Sequence, residues 1–132
     1  MTYMLDTNIC IYLINKKSQK VISRFKKEEP GNIGISSITL SELKFGAHNS
    51  SNVRKNLLAV DKFTAPLHIL NYDDNAADSY GSIRAFLKKT GNPIGPMDTL
   101  IAAHAIATQC ILITNNVREF KKVKGLELQN WA

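Results

Sequence analysis

The chain has 132 residues, with 17 Lys and Arg against 11 Asp and Glu, giving a formal net charge of +6 at pH 7. That length suits a single domain spanning 1–132, which buries roughly two-thirds of its unfolded surface and needs neither disulfides nor a structural metal to hold a core. A content of 44% hydrophobic and 21% charged residues excludes a disordered tail or a low-complexity segment, and the basic surplus admits a polyanionic partner without requiring one.

The two cysteines, Cys10 and Cys110, sit far apart in apolar surroundings and read as free and buried. No Cys/His spacing suggests zinc. Asp6 interrupts the first apolar run, and Lys16 and Lys17 follow the apolar stretch instead of preceding it, which is the wrong order for a signal peptide. Thr99 to Val117 carries no formal charge and is long enough to span a bilayer, but it contains His104, Gln109, Asn115 and Asn116. Its pattern changes midway, so it reads as a helix followed by a buried strand. The expectation is a cytoplasmic protein with no membrane contact.

Taken in chain order, Tyr3-Met4-Leu5 reads as a short strand ending at Asp6, and Thr7 or Asn8 can cap the following helix. Ser18 opens a second helix with Val21, Ile22 and Phe25 as its apolar stripe, and Pro30-Gly31-Asn32 stops it. Ile33 to Ser36 is a strand, and Ser37 or Thr39 starts the helix through Leu40, Leu43 and Phe45. A further helix covers about Val53 to Phe63, and Leu67 to Leu70 is a strand candidate. Asp73 or Asp74 caps a long helix that Gly91-Asn92-Pro93 ends. A helix from Met97 to about Thr108, a strand from Ile111 to Thr114, a basic helix from Val117 to Val123 and a strand from Leu126 to Leu128 complete the chain. Helices alternating with short, continuously apolar strands predict an α/β fold. Its central sheet is mostly parallel and has helices on both faces.

Against that background the placement of the acids is informative. Asp6 lies just past the first strand, where open parallel sheets collect ligands. Glu42 lies early in the helix after the second strand, and Asp98 in the first turn of the Met97 helix. Each has a purely structural explanation: N-capping for Asp6, a capping box for Glu42 and the helix dipole for Asp98. Their convergence on one sheet edge is harder to explain. Thr114, Asn115, Asn116 and Glu119 follow the Ile111 strand and bring more oxygen donors to the same edge. Two ionised carboxylates at roughly 5 Å repel by about 3 kcal/mol at an effective dielectric of 20. A divalent cation or shared protons must offset that cost. Oxygen donors without cysteine suit Mg2+, with Mn2+ as a substitute, better than Zn2+.

Other uses of such an edge lack their residues. Asp6-Thr7-Asn8-Ile9-Cys10 stands where a dinucleotide fold needs GxGxxG, and the phosphate-binding GxxxxGK[ST] is absent. Asn8 occupies the place of the second Asp of a haloacid-dehalogenase-type phosphatase. A receiver domain's later Asp and Lys are not evident, and there is no GxSxG nucleophile elbow.

Four ordered blocks resemble the PIN-domain toxins called VapC. They are Met4-Leu5-Asp6-Thr7-Asn8; Ile35 to Leu43 leading to Gly46; Gly95 to Ala105 around Met97-Asp98-Thr99; and Thr114 to Phe120 with Gly125 to Trp131. The resemblance covers nearly the whole chain. It implies a metal-dependent endoribonuclease, the toxin of a type II toxin–antitoxin pair, with tRNA as a family-level substrate. It also implies a VapB-like antitoxin, a homodimer, and contact with operator DNA only through the antitoxin complex. By position, Asp6, Glu42 and Asp98 match the family's acidic metal site. The fourth acidic position falls on Asn116, and Glu119, one turn on, supplies a charge instead. Asn8 and Thr114 would position waters or side chains around the acids.

The basic residues form two groups. Lys16 and Lys17 with Lys20, Arg24, Lys26 and Lys27 make one, and Arg118, Lys121, Lys122 and Lys124 the other. Either is a solvated helix face or a phosphate-tracking surface. His104 reads as packed. The competing function is a non-catalytic RNA- or protein-binding PIN-like module, against which the joint presence of Asp6, Glu42 and Asp98 weighs.

Overall fold

The computed structural model describes residues 2–132. Five strands form one sheet: β1 (Tyr3–Leu5), β2 (Ile33–Ser36), β3 (His68–Leu70), β4 (Ile111–Ile113) and β5 (Leu128–Gln129). Their order is β3-β2-β1-β4-β5, and every pairing is parallel. From β1 the chain steps outward to β2 and β3, then returns across β1 to add β4 and β5 on the other side. The switch point therefore lies between β1 and β4, where Leu5 pairs with Ile113 and the Asp6 N–H donates to the Ile113 carbonyl at 3.0 Å.

The helices are α1 (Thr7–Ile14), α2 (Gln19–Lys27), α3 (Ser37–His48), α4 (Val53–Thr64), α5 (Asp74–Lys89), α6 (Pro96–Thr108) and α7 (Val117–Phe120). A single 3-10 turn at Pro30–Asn32 precedes β2. Successive strand residues point to opposite faces, so the sheet divides the core in two. Leu5, Ile35 and Ile113 face α1 to α4, packing with Ile9, Val21, Leu43 and Val60. Met4 and Leu112 face the other way, onto Ile83, Leu87, Ile101 and Phe120. Helices cover both faces, as the apolar pattern predicts.

The helix α6 is buried over most of its circumference, and Ala102, Ala103 and Ala105 are fully covered. Small side chains let it lie close to the sheet. Pro96 sits in its first turn, where the missing N–H costs nothing. Gln109 ends it in the left-handed region at φ 58°, a conformation that favours glycine.

Several boundaries differ from expectation for local reasons. The cap of α1 is Asp6 itself, not Thr7 or Asn8, and Ser36 caps α3. Pro96 rather than Met97 begins α6. The basic helix closes after one turn at Phe120 because the chain must bend to bury Val123 and then reverse through Gly125 at φ +86°. Leu126 and Glu127 are spent on the approach, so the last strand is Leu128–Gln129, later than the predicted 126–128. Both cysteines are free and buried, as expected. Among the described residues no helix is long and apolar enough to cross a membrane.

Candidate active site

The site is built on the carboxyl ends of β1 and β4. Asp6 is 4% exposed, and its Oδ1 accepts the Ile9 N–H at 2.8 Å, closing the first turn of α1. Thr114, fully buried after β4, accepts the Asn116 N–H at 2.9 Å on its Oγ1. Its own proton is then free to face the Asp6 carboxyl, whose ionised form it favours. Burial dominates the electrostatics of Asp6 and carries its carboxyl from an ordinary 3.8 to about 6. The hydrogen bonds from Thr114 and Ile9 oppose this rise, while the charges of Asp98 and Glu42 add to it.

Glu42 projects from α3 and is held in place from α1. The Thr7 hydroxyl donates to Glu42 Oε1 at 2.6 Å, and Thr7 Oγ1 lies 3.3 Å from Thr39 Oγ1. Asp98, in the first turn of α6, is raised above the usual carboxylate range by burial first, then by Glu42 and Glu119. Glu119 on α7 is half-buried and pairs with Lys122 at 3.6 Å. The four predicted acids are thus electrostatically linked: Asp6 senses Glu42 and Asp98, and Asp98 senses Glu42 and Glu119.

Among the described residues no three His, Cys, Asp or Glu side chains stand in a ready-made metal-ligand group. Mutual repulsion and the Thr7 hydrogen bond both favour such a spread. The donor set is nonetheless oxygen-only, and two of its members are destabilised as anions by each other and by burial. That chemistry fits a hard divalent cation.

The flanking polar residues divide. Thr114 contacts Asp6, and Asn116 closes the turn onto Thr114. Asn8 is exposed on α1. Arg118, Lys121 and Lys122 lie on and just beyond α7, next to Glu119. Lys16 and Lys17 fall after the far end of α1, whose 8 residues carry them about 12 Å from the Asp6 edge. Arg24 is already engaged, ion-paired with Glu28 and with its guanidinium 4.8 Å from the Trp131 ring centroid.

From sequence Thr7 is a candidate cap of α1; the cap is Asp6, and Thr7 instead reaches across to Glu42. His104 is packed, as expected. It is 1% exposed, its Nδ1 lies 2.7 Å from Ser36 Oγ, and burial lowers its pKa. The ring also donates to the Asn71 backbone carbonyl, which leaves Nδ1 to accept the Ser36 hydroxyl in a neutral imidazole. Burial and the Asp6 charge push the Cys10 thiol well above its ordinary value, which leaves it inert.

A parallel sheet with linked acids at its switch point defines a class, and the comparisons agree with it. The family described as PIN domain matches residues 3–126. A relative from Shigella flexneri, named tRNA(fMet)-specific endonuclease VapC, is 43% identical over 132 residues, covering 100% of this chain and 99% of that protein. Among solved structures, DNA-bound VapBC from Salmonella typhimurium superposes with TM-score 0.95 at 41% identity, covering 100% of this chain and 99% of that one. VapBC2 from Rickettsia felis, bound to a DNA fragment from its promoter, gives TM-score 0.94 at 41% identity with both chains fully covered. The chain belongs to the PIN-domain family, in its VapC branch.

Proposed function

We propose that the protein is an endoribonuclease toxin of a type II toxin–antitoxin pair and that its acidic edge binds Mg2+, or Mn2+ in its place. The observation that carries this reading is the linked set Asp6, Glu42, Asp98 and Glu119 at the β1/β4 switch point, with Asp6 raised to about 6. The relatives named for tRNA(fMet) cleavage support RNA as substrate, and tRNA in particular.

Asp6, Glu42 and Asp98 would hold the cation, with Glu119 beside them. When bound, it supplies Lewis-acid activation of water and charge neutralisation at the scissile phosphodiester. The chain's own contributions are positional. Thr114 and the first turn of α1 fix the Asp6 carboxylate, Thr7 aims Glu42, and Asn116 holds the turn that presents Thr114. Asn8, exposed beside Asp6, is available to orient water. Arg118, Lys121 and Lys122 present positive charge to the RNA backbone near the acids, and Lys16 and Lys17 do so at a distance.

The partner is a VapB-like antitoxin, by likeness to the VapBC complexes. Two features of the surface support it. A groove of about 300 Å3 among the N-terminal helices is lined by Leu13, Ile22, Phe25 and Phe63 with Lys16 and Lys26 at its rim. Phe45 and Leu58 on α3 and α4 are 68% and 57% exposed. An amphipathic segment carrying acidic residues would cover both. Promoter DNA would be met only through that complex. A homodimer in the bacterial cytoplasm completes the proposal.

The test is sequencing of RNA 5′ ends after brief expression of the wild type and of Asp6→Asn. New 5′-phosphate ends at a small set of sites with the wild type and none with the variant are expected. Equal cleavage by a folded Asp6→Asn protein would overturn the site.

A further inference from the structure

A second concavity borders the acidic edge and has no assigned role. Between α5 and α6 lies an open cavity of about 400 Å3, within the range of about 300–1,000 Å3 typical of small-ligand sites. Leu87, 2% exposed, and half-buried Ile94 line its apolar side, with Pro96 beside them. Tyr80 supplies an aromatic wall. Arg84 stands over that ring, its guanidinium carbon 5.9 Å from the centroid and its Nη1 donating to Tyr80 Oη at 2.9 Å. Lys88 adds a second cation at the rim, and among the described residues neither cation is paired with a carboxylate.

The cavity and the acids share a wall. Asp98 Oδ2 lies 3.6 Å from where a Cβ on Gly95 would sit. Gly95 is flanked by Ile94 and Pro96, both of which line the cavity. Pro96 and Thr99, also a lining residue, bracket Asp98 within the first turn of α6. One residue without a side chain thus separates the concavity from a proposed metal ligand.

We infer that this cavity receives a nucleotide of the RNA adjacent to the one being cut. Its base stacks on Tyr80 over the apolar floor, and a phosphate is held by Arg84 and Lys88. The chemistry selects this occupant. An aromatic wall accepts the face of any base, a fixed planar guanidinium and a mobile ammonium complement phosphate oxygens, and the rim repels cationic partners. The inference rests on the ribonuclease reading and deepens it, because it places a binding step beside the same carboxylates.

The test uses the full chain with Arg84→Ala/Lys88→Ala and, separately, Tyr80→Leu, and as substrate a single-stranded RNA oligonucleotide that the wild type cuts. Both exposed cations can be removed without touching the core. The double variant is expected to lower kcat/KM about tenfold, carried by KM, and to flatten the salt dependence of binding by about 0.7 units of log–log slope, as loss of one single-strand phosphate contact requires. Tyr80→Leu should lower kcat/KM without changing that slope. Independently of cleavage, 5′-AMP titrated into the wild type should shift backbone amide NMR signals between residues 80 and 99, and the double variant should lose those shifts. Unchanged KM and salt slope in an active background would overturn the inference. So would a change in sedimentation mass of the double variant, since the cavity would then be a surface between copies beside exposed Phe86 and Met97. If the wild type and Asp6→Asn cleave equally, the ribonuclease reading fails instead, and the 5′-AMP shifts alone decide the cavity.

Discussion

Replacing Asp6 by Asn should make the metal-free protein more stable at neutral pH. The carboxyl is carried from 3.8 to about 6 chiefly by burial, which at 1.36 kcal/mol per pH unit makes its ionisation in the fold cost about 3 kcal/mol at pH 7. Because the folded pKa is raised above the unfolded one, the associated stability is fully present below pH 3.8 and is lost as pH climbs through about 6. Asn keeps an oxygen for the Ile9 N–H and caps helices about as well as Asp. It gives up a charge–dipole contribution of about 0.5 kcal/mol and brings in an amide N–H2 needing partners, at about 1 kcal/mol. The net gain expected at pH 7.5 is about 1–2 kcal/mol, or about 4–8 °C in Tm for a domain of this size. Thermal melts of both proteins with a chelator, at pH 7.5 and at pH 4, measure it directly, and the gain should vanish at pH 4. Added Mg2+ should reverse the order. It stabilises only the form with an intact site, by about 2.7 kcal/mol at a hundredfold excess over Kd. An Asp6→Asn protein less stable than wild type by the same amount at both pH values would refute the reasoning, because capping and not desolvation would then dominate.

Three further substitutions follow from the same geometry. Thr7→Val removes the 2.6 Å bond to Glu42. It should leave unfolding stability within about 1 kcal/mol of wild type while raising the Mg2+ concentration for half-maximal cleavage several-fold, read from a metal titration of activity. Lys121→Ala/Lys122→Ala should weaken RNA binding across sequences and reduce the log–log salt slope by about 1.4 for two single-strand phosphate contacts. Freeing Glu119 from Lys122 makes that change larger at low salt, and filter binding at two or more salt concentrations would register it. Gln109→Gly relieves a left-handed residue at φ 58° and should stabilise by about 0.5–1 kcal/mol in denaturant melts, with cleavage unaffected.

The layer order was legible because the strands are short and uniformly apolar, which in a chain of alternating elements signals a sheet covered on both sides. Three acids were legible because each stands at a junction that a parallel sheet gathers onto one edge. What stayed hidden is set by distances between elements. Capping is one explanation of Asp6 open to the sequence, and the extended backbone at Asp6, φ −76° and ψ 171°, shows that it is the cap. The bond from Thr7 to Glu42 is not legible in the sequence because the two are 35 positions apart, joined only when α3 crosses beside α1. How far Lys16 and Lys17 lie from Asp6 depends on the intervening helix, whose 8 residues set them apart from the acidic edge. The last strand starts two residues later than predicted because a turn at Gly125 consumes chain that apolarity alone assigns to the sheet.

The sheet order also has a consequence in time. β1, β2 and β3 lie side by side in the order they are made, so the first half of the chain can pair as it emerges. β1 acquires its other neighbour only when Ile111 to Ile113 arrives, and Asp98, Thr114 and Glu119 arrive in that same late stretch. A nascent chain therefore carries Asp6 and Glu42 without the groups that complete their surroundings. The residues of the acidic edge are complete only once Glu119 has been made, near the end of the chain. The residues lining the groove of α1, α2 and α4, by contrast, all precede residue 64. A partner that docks there touches the part of the chain made first, not the late stretch that completes the acidic edge.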